Sequence, residues 1–415
     1  MNKKGSTFQS RIRRTSLEAL RRRVLRSVSP LPAESIPISK ARGRVLAIDV
    51  RAPGPQPPFD RSAMDGFALR SVDTESASSR RPVALAIVGT IGAGHSSRVG
   101  LQPHTTLRIM TGAPLPSGAD AVVRVELVHE RNGMASIGRS VAPGNDVRQR
   151  GSDFRKGERI LQQGSMLGPA EVAMLALLDQ TRVKVHRRPK VGVLSTGDEL
   201  GEVGRKRAFG HIPDSNRYAL LAQVESAGCI PDDAGRCRDD TRLLQKRLTA
   251  LARACDFIVT TGGVSAGDFD VVKLLFREIG GVDLYRIPMK PGRPQAFGTV
   301  RGVPYFGLPG NPVSCMVVFD FLVRPALSRM AGRRQLDPMT IPAIAECDFT
   351  HKSRHWEFPR VIAEQRDGQW RLRPTRSQRS SDLKSMTDAD GYAVLPPDQD
   401  APRRGGTVQF VPFAT

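Results

Sequence analysis

Three times between Val191 and Ser314, an apolar run with the character of a β-strand ends in a glycine-rich loop that carries acids or leads into a helical pattern. The runs are Val191-Gly-Val-Leu-Ser-Thr-Gly-Asp-Glu-Leu200, Phe257-Ile-Val-Thr-Thr-Gly-Gly-Val-Ser-Ala-Gly-Asp-Phe-Asp270 and Tyr305-Phe-Gly-Leu-Pro-Gly-Asn-Pro-Val-Ser314. In a parallel sheet, three such loops sit together at the carboxyl ends of the strands, where open α/β sheets hold ligands. Glycine lets backbone approach a ligand closely, and a helix N-terminus offers unpaired N–H groups to an anion. Carboxylates at the same rim suit a hard cation such as Mg²⁺. The pattern predicts a metal-assisted handler of an anionic, phosphorylated ligand.

A chain of 415 residues exceeds one ordinary domain, so two to four are expected. No apolar run is long enough to span a bilayer; the nearest, Val313 to Leu327, is interrupted by Asp320 and Arg324 and reads as a buried helix. The five cysteines are scattered without Cys-x-x-Cys spacing. They argue for reduced thiols in a cytoplasm and against a zinc site or disulfide framework. A net charge of +22 invites a nucleic-acid partner, but the arginines are spread along the whole chain. With four Tyr and two Trp there is little for bases to stack on. A general arginine bias explains the charge better than a nucleic-acid site does.

Helical spacing of Leu17, Leu20, Val24, Leu25 and Val28 predicts a basic amphipathic helix over residues 15–29, after a basic tail over 1–14. Short apolar runs at Arg44–Val50, Val83–Val88, Leu107–Met110 and Ala121–Val125, separated by Pro and Gly, predict β-rich modules. Strand and helix then alternate over 187–332, as in a helix-covered parallel sheet. Asp214 or Ser215 caps a helix there, a further helix runs from about Asp240 to Ala254, and Asn311 caps another with Pro312 in its first turn. From about Pro338 the pattern is all-β, with turns expected at Asp367-Gly368, Asp390-Gly391 and Gly405-Gly406. The expected divisions are 15–50 with 145–186 as a linking domain, 51–144 inserted into it, 187–332 as the α/β domain and 335–415 as an all-β domain.

Asp198, Glu199, Asp268 and Asp270 are the candidate metal ligands, since each pair follows a glycine directly after a strand. Gly262 and Gly263, with Ser265, suit a backbone nest for phosphate. Lys290 and Arg293 flank a Pro-Gly pair and present two cations on a stiff loop, which suits a tetrahedral anion. The loop Pro309-Gly310-Asn311 and the helix start reaching Ser314 add N–H donors. Each motif has an ordinary structural reading as well: Asp as a helix cap, Gly pairs as a turn, a basic loop as solvated surface.

Taken in order, these strings resemble the molybdopterin molybdenumtransferase family, to which the gephyrin E-domain is related. The blocks are Pro58-Phe-Asp-Arg-Ser-Ala-Met-Asp-Gly66, Arg108-Ile-Met-Thr-Gly-Ala113, Leu194-Ser-Thr-Gly-Asp-Glu-Leu200, Asp214-Ser-Asn-Arg217, Thr261-Gly-Gly-Val-Ser-Ala-Gly-Asp268, Lys290-Pro-Gly-Arg-Pro294 and Leu308-Pro-Gly-Asn-Pro-Val-Ser314. They span nearly the whole chain, from Ser16 to about Val411. The resemblance implies an α/β multidomain fold: a central parallel or mixed α/β domain of molybdopterin-binding type, N-terminal β-rich modules and a C-terminal β-barrel.

It further implies a homodimer that inserts molybdate into adenylylated molybdopterin with release of AMP, using Mg²⁺. By the same resemblance, Asp65 and Thr111 come from the partner subunit, with Glu199 and Asp268 among the catalytic acids. Asp214, Ser215 and Asn216 are then expected on the nucleotide side of the pocket. A gephyrin-like scaffold and a tungstate-inserting enzyme are the alternatives. Direct docking of a separate molybdopterin adenylyltransferase is left open.

Overall fold

The computed structural model describes residues 12–264, 271–351 and 354–413. They form two compact units, with boundaries at Ile48/Asp49 and Gln162/Gln163 and with Leu177–Asp179 joined to the smaller.

The smaller unit is built on a six-stranded sheet. Its spatial order is Ala121–Arg124, Gly66–Leu69, Thr105–Ile109, Val83–Ile91, Met134–Ile137 and Val128–Arg131. Gly66 pairs antiparallel with Ile109 and Arg124. A Cβ at Gly66 would come within 2.0 Å of the Val123 carbonyl oxygen, so only glycine fits there. Because Gly66 and Ile109 are opposite one another, the residues just beyond the strand ends, Asp65 and Thr111, are brought together.

The larger unit carries the alternating region as a seven-stranded sheet, one edge of which is the two-residue strand Arg13–Arg14, paired parallel with Tyr285 and Arg286. Its elements, in chain order after the N-terminal helix α1 (Leu17–Arg26), are β1 (Lys190–Thr196), α2 (Ser215–Ser226), β2 (Ile230–Cys237), α3 (Thr241–Ala254), β3 (Phe257–Thr261), α4 (Val271–Ile279), β4 (Val282–Arg286), β5 (Pro294–Val300) and β6 (Val303–Leu308). Strands β1, β2, β3 and β6 are mutually parallel, in the order β6-β3-β1-β2. Every residue of β1 from Val191 to Thr196 and all of β3 are buried, as expected of strands with helices on both faces.

The sheet is mixed rather than wholly parallel: β5 runs antiparallel to both β4 and β6. The short connection Arg301-Gly302 folds β5 directly back onto β6, with Arg301 at φ 50° and Gly302 at φ 84°. No crossover helix intervenes, so the strand direction must reverse.

After β6 come α5 (Pro312–Val318), a π-helical turn over Phe319–Val323 and α6 (Arg324–Met330). Leu17, Leu20 and Val24 of α1 are buried in the same core as α5, α6 and the sheet. Asn311 is a cap by position only. Its side chain donates to the Ser380 hydroxyl at 3.0 Å and makes no capping bond to the helix.

The C-terminal barrel closes through Ile341–Ala345, Gln369–Pro374, Arg360–Arg366, Gly391–Val394 and Thr407–Pro412. Asp367-Gly368 is the expected hairpin turn, both residues having positive φ. Gly391 opens a strand instead of a turn, since a Cβ there would lie 2.2 Å from the Val411 carbonyl oxygen. The expected strand Arg44–Val50 is reduced to isolated bridges at Val45 and Leu46 and, at its end, the two-residue strand Val50–Arg51.

Candidate functional site

The ends of β1, β3 and β6 are neighbours, so the loops that follow them converge. Together with the residues opening α2 they line a cavity of about 350 Å³, whose wall includes Glu199, Asn216, Gly262, Gly310 and Pro312. Asn216 draws the wall together: its Nδ2 donates to the Thr261 hydroxyl at 2.9 Å and to the Gly310 carbonyl at 2.7 Å. The Thr261 hydroxyl donates in turn to the Pro309 carbonyl at 3.1 Å. At Gly262, φ is +91° and a Cβ would lie 2.3 Å from the Thr196 carbonyl oxygen. At Gly263 (φ +67°) a Cβ would lie 2.8 Å from the Val272 side chain. These positions require glycine for fit as well as for conformation.

Asp214 and Ser215 also line this cavity. Asp214 is buried, accepts from the Ser195 hydroxyl, and caps α2 through the Arg217 N–H at 3.3 Å. Its carboxylate also takes the buried Arg217 guanidinium at 3.1 Å, and Arg217 reaches on to Asp233 at 2.9 Å and Glu202 at 3.0 Å. Asp214 therefore holds the local frame. Ser314 is buried in the first turn of α5 and Pro309 behind its loop; both support the wall rather than line it.

At the acidic rim, Asp198 and Asp239 hold each other reciprocally: each backbone N–H donates to the other's carboxylate, at 3.4 Å and 3.2 Å. The Asp239 carboxyl is raised in pKa by partial burial and by the charges of Asp198 and Glu199. The Glu199 carboxylate lies over Gly197, where a Cβ would be 2.4 Å from Oε2. Asp268, Asp270 and Ser265 lie outside the described residues. Among the described residues, no group of three His, Cys, Asp or Glu side chains is close enough to hold a metal ion. The donor set at the rim is nonetheless all oxygen, the chemistry of a hard cation.

Lys290 and Arg293 belong elsewhere in the same unit. Arg293 is exposed and bonds His355. Lys290 lines a second cavity, of about 300 Å³, with Pro291, Glu357, Arg360 and Gln378. Its Nζ is 3.7 Å from the Glu357 carboxylate. Arg360 is 1% exposed. Among the described residues its guanidinium donates only to neutral oxygens, the Ser385 hydroxyl and the Ser377 and Arg379 carbonyls, all at 3.3 Å. A buried guanidinium stays charged and is costly without an anion. Burial lowers its pKa, against the opposing fields of Tyr392 and Asp382.

The segment from Gln378 to Ser381 walls both cavities, Gln378 facing the second and Ser381 the first. Three residues of chain span at most about 11 Å, so the cavities are close neighbours. The sequence reading missed Arg360, Asp239 and this segment. The doublet Asp239-Asp240 between a strand and a helix was a usable signal for Asp239; nothing local marks Arg360.

In the smaller unit, Asp65 Oδ1 accepts from the Thr111 N–H at 2.6 Å and from its hydroxyl at 2.7 Å. The backbone donor first, then the hydroxyl, hold this exposed carboxylate below its ordinary pKa.

Comparison with known proteins gives these features a family. Residues 15–178 match the MoeA N-terminal region (domain I and II), 192–329 the "Probable molybdopterin binding domain", and 342–413 the MoeA C-terminal region (domain IV). A molybdopterin molybdenumtransferase of Haemophilus influenzae is 34% identical over 389 residues, covering 92% of this chain and 95% of its own. The chain belongs to the molybdopterin molybdenumtransferase family. The family member of Bacillus subtilis is 34% identical over 386 residues, 91% of this chain and 89% of its own. The crystal structure of the molybdopterin biosynthesis moeA protein from Pyrococcus horikoshii OT3 superposes with a TM-score of 0.85 at 30% identity, covering 97% of this chain and all of that one. Among the described residues of this molybdenumtransferase-family chain, no helix is long and apolar enough to cross a membrane.

Proposed function

We propose that the chain is a molybdopterin molybdenumtransferase of molybdenum cofactor biosynthesis, joining molybdate to the dithiolene of adenylylated molybdopterin and releasing AMP. The observation that carries this reading is the pair of adjoining cavities with a common wall, one walled by helix starts and Gly-rich loops, the other by Lys290 and by Arg360, whose bonds among the described residues are all to neutral oxygens. The first suits the phosphate and nucleoside part of the substrate. Its donors are the Ser215 hydroxyl and the backbone N–H groups of the Gly262 and Gly310 loops, held in place by Asn216. The second suits molybdate, a tetrahedral dianion: Arg360 and Lys290 line it beside Asp348 and Glu357, and among the described residues Arg360 bonds no carboxylate.

Asp198 and Glu199, with Asp239 and the acids Asp268 and Asp270, would hold Mg²⁺. When bound, it supplies neutralisation of charge developing on the diphosphate oxygens as the link to AMP is cleaved. This chain's own part is to orient the diphosphate, fix the two substrates side by side and shield the reacting oxygens from water. Asp65 and its Thr111 clamp would be contributed by the second copy of a cytoplasmic homodimer. Adenylylated molybdopterin, molybdate and Mg²⁺ incubated with the protein should yield AMP in proportion to molybdate. No molybdate-dependent AMP above a protein-free control would refute the assignment. Light scattering at the mass of one chain would refute the homodimer.

A further inference from the structure

Leu200-Gly201 and Ile212-Pro213 pair as a short parallel bridge. Between them the chain makes an excursion from Glu202 to His211 in which every residue is exposed. Its base is fixed: the Ile212 N–H donates to the Glu199 carbonyl at 2.9 Å and the Asp214 N–H to the Gly201 carbonyl at 3.2 Å. Arg207 lies across Gly201, where a Cβ would come 2.6 Å from its Cδ, and donates to the Glu202 and Arg205 carbonyls at 3.4 Å.

At the tip, Gly210 takes φ +86° and the His211 N–H closes a turn on the Ala208 carbonyl at 3.2 Å. That turn carries Phe209, whose relative exposure is 106%. Three further large apolar side chains are exposed nearby: Val203, Ile212 and Tyr218. Tyr218 is tied to the excursion through Arg217, which bonds both its hydroxyl and Glu202.

A single exposed apolar residue is ordinary, but a group of them beside a polar cavity marks a binding surface. Leu200 and Ile212 line the nucleotide-sized cavity directly. Phe209 is three residues from Ile212, so its Cα lies within about 11 Å of that wall. The excursion also carries Arg205, Lys206 and Arg207 against one acid, Glu202, which Arg217 already holds. A cavity of 350 Å³ is at the small end of those that hold ligands. A pterin joined through a diphosphate to a nucleoside overfills it, so part of the substrate must lie at the mouth.

We infer that Phe209 stacks on a planar heteroaromatic ring of the substrate at the cavity mouth, with Arg205 and Lys206 beside its phosphates. This rests on the transferase reading for the identity of the ring, which is either adenine or pterin. Aromatic side chains suit either, because both rings have an apolar π-face.

The test uses the full-length protein with Phe209→Ala and Phe209→Trp, AMP and 6-hydroxymethylpterin as separate calorimetric probes, and turnover of adenylylated molybdopterin. Phe209→Ala should weaken one probe by about fivefold or more, the loss expected for one stacked base. It should raise KM more than it lowers kcat, and Phe209→Trp should restore both. The melting temperature should not move, because the side chain is fully exposed. A loss with AMP assigns adenine; a loss with the pterin assigns the pterin.

Wild-type affinity for both probes together with an unchanged KM in Phe209→Ala overturns the inference. Should wild type bind AMP, lose it in Phe209→Ala and yet release no AMP from the adenylylated substrate, ring stacking stands and the transferase assignment falls. Wild type with neither probe binding nor turnover overturns both.

Discussion

The side-chain amide of Asn216 donates to the Thr261 hydroxyl at 2.9 Å while also holding the Gly310 carbonyl at 2.7 Å, so one residue at the start of α2 clamps the loops after β3 and β6. Replacing it with Asp keeps the shape and removes both donors, leaving oxygen facing oxygen. Asn216→Asp should lower stability by about 1 kcal/mol, the net worth of a partly exposed hydrogen-bonded clamp. It should weaken AMP binding further than that loss explains. Urea denaturation and calorimetry with AMP measure the two effects separately.

Gly262 should not tolerate a side chain. The Thr196 carbonyl oxygen occupies the space a Cβ needs, and φ +91° is strained for any other residue. Gly262→Ala should cost about 1–3 kcal/mol from conformation alone, read as a lower urea midpoint, with AMP binding reduced.

Arg360 offers a cleaner separation of stability from function. Its charge is buried among neutral oxygens. Arg360→Met, a substitution of similar length, is expected to leave the melting temperature unchanged or higher, as for other buried charges replaced by apolar groups. The KM for molybdate should rise at least tenfold while AMP affinity stays at its wild-type value. Equal molybdate dependence in the two proteins would exclude Arg360 from the anion site.

The rim acids give a metal prediction. Glu199→Gln and Asp239→Asn should each shift the Mg²⁺ concentration needed for half-maximal AMP release upward by about tenfold, the scale reported for disturbing one partner of a metal site. In the absence of Mg²⁺, Asp239→Asn should raise stability slightly, since it relieves a carboxylate whose charged form is disfavoured by burial and by Asp198 and Glu199. Thermal melts with and without EDTA test this.

Asp256 sets an acid limit on the larger unit. Burial works to raise its pKa, but the Arg187 guanidinium at 2.6 Å and the Lys190 N–H at 2.8 Å prevail, and the net shift is downward. A carboxyl with a depressed folded pKa adds stability that is present above its ordinary value of 3.8 and is lost as pH falls through the lower folded value. Asp256→Asn should therefore destabilise at pH 7 and flatten the fall of melting temperature below about pH 4, where the depressed carboxyl takes up its proton.

Much of the α/β unit was legible because its strands are buried on both faces and read as unbroken apolar runs. Val191–Thr196 and Phe257–Thr261 needed no tertiary information. Gly-rich loops after such strands likewise pointed to one rim, and Glu199, Asn216, Gly262 and Gly310 do share a cavity. What stayed hidden depends on partners far away in the chain. Asn311 looks like a helix cap until Ser380, 69 residues on, takes its side chain. Arg360 is one arginine among many until the barrel folds around it. Gly391 reads as a turn because close backbone approach to Val411 and a turn demand the same residue. Lys290 has no local sign that its loop faces the barrel instead of the nucleotide-sized cavity.

Tyr392 of the barrel donates to Asp320 at 3.0 Å, and Phe358, Met386, Tyr392 and Val411 are buried in one core with α1, α5 and α6. The barrel is therefore not portable. A gene shortened ahead of residue 335 would leave an uncovered apolar wall and a stranded Asp320 carboxyl, so its product should be insoluble rather than merely inactive. Recombination between relatives can exchange this barrel only by carrying along the matching faces of α1 and the helices after β6.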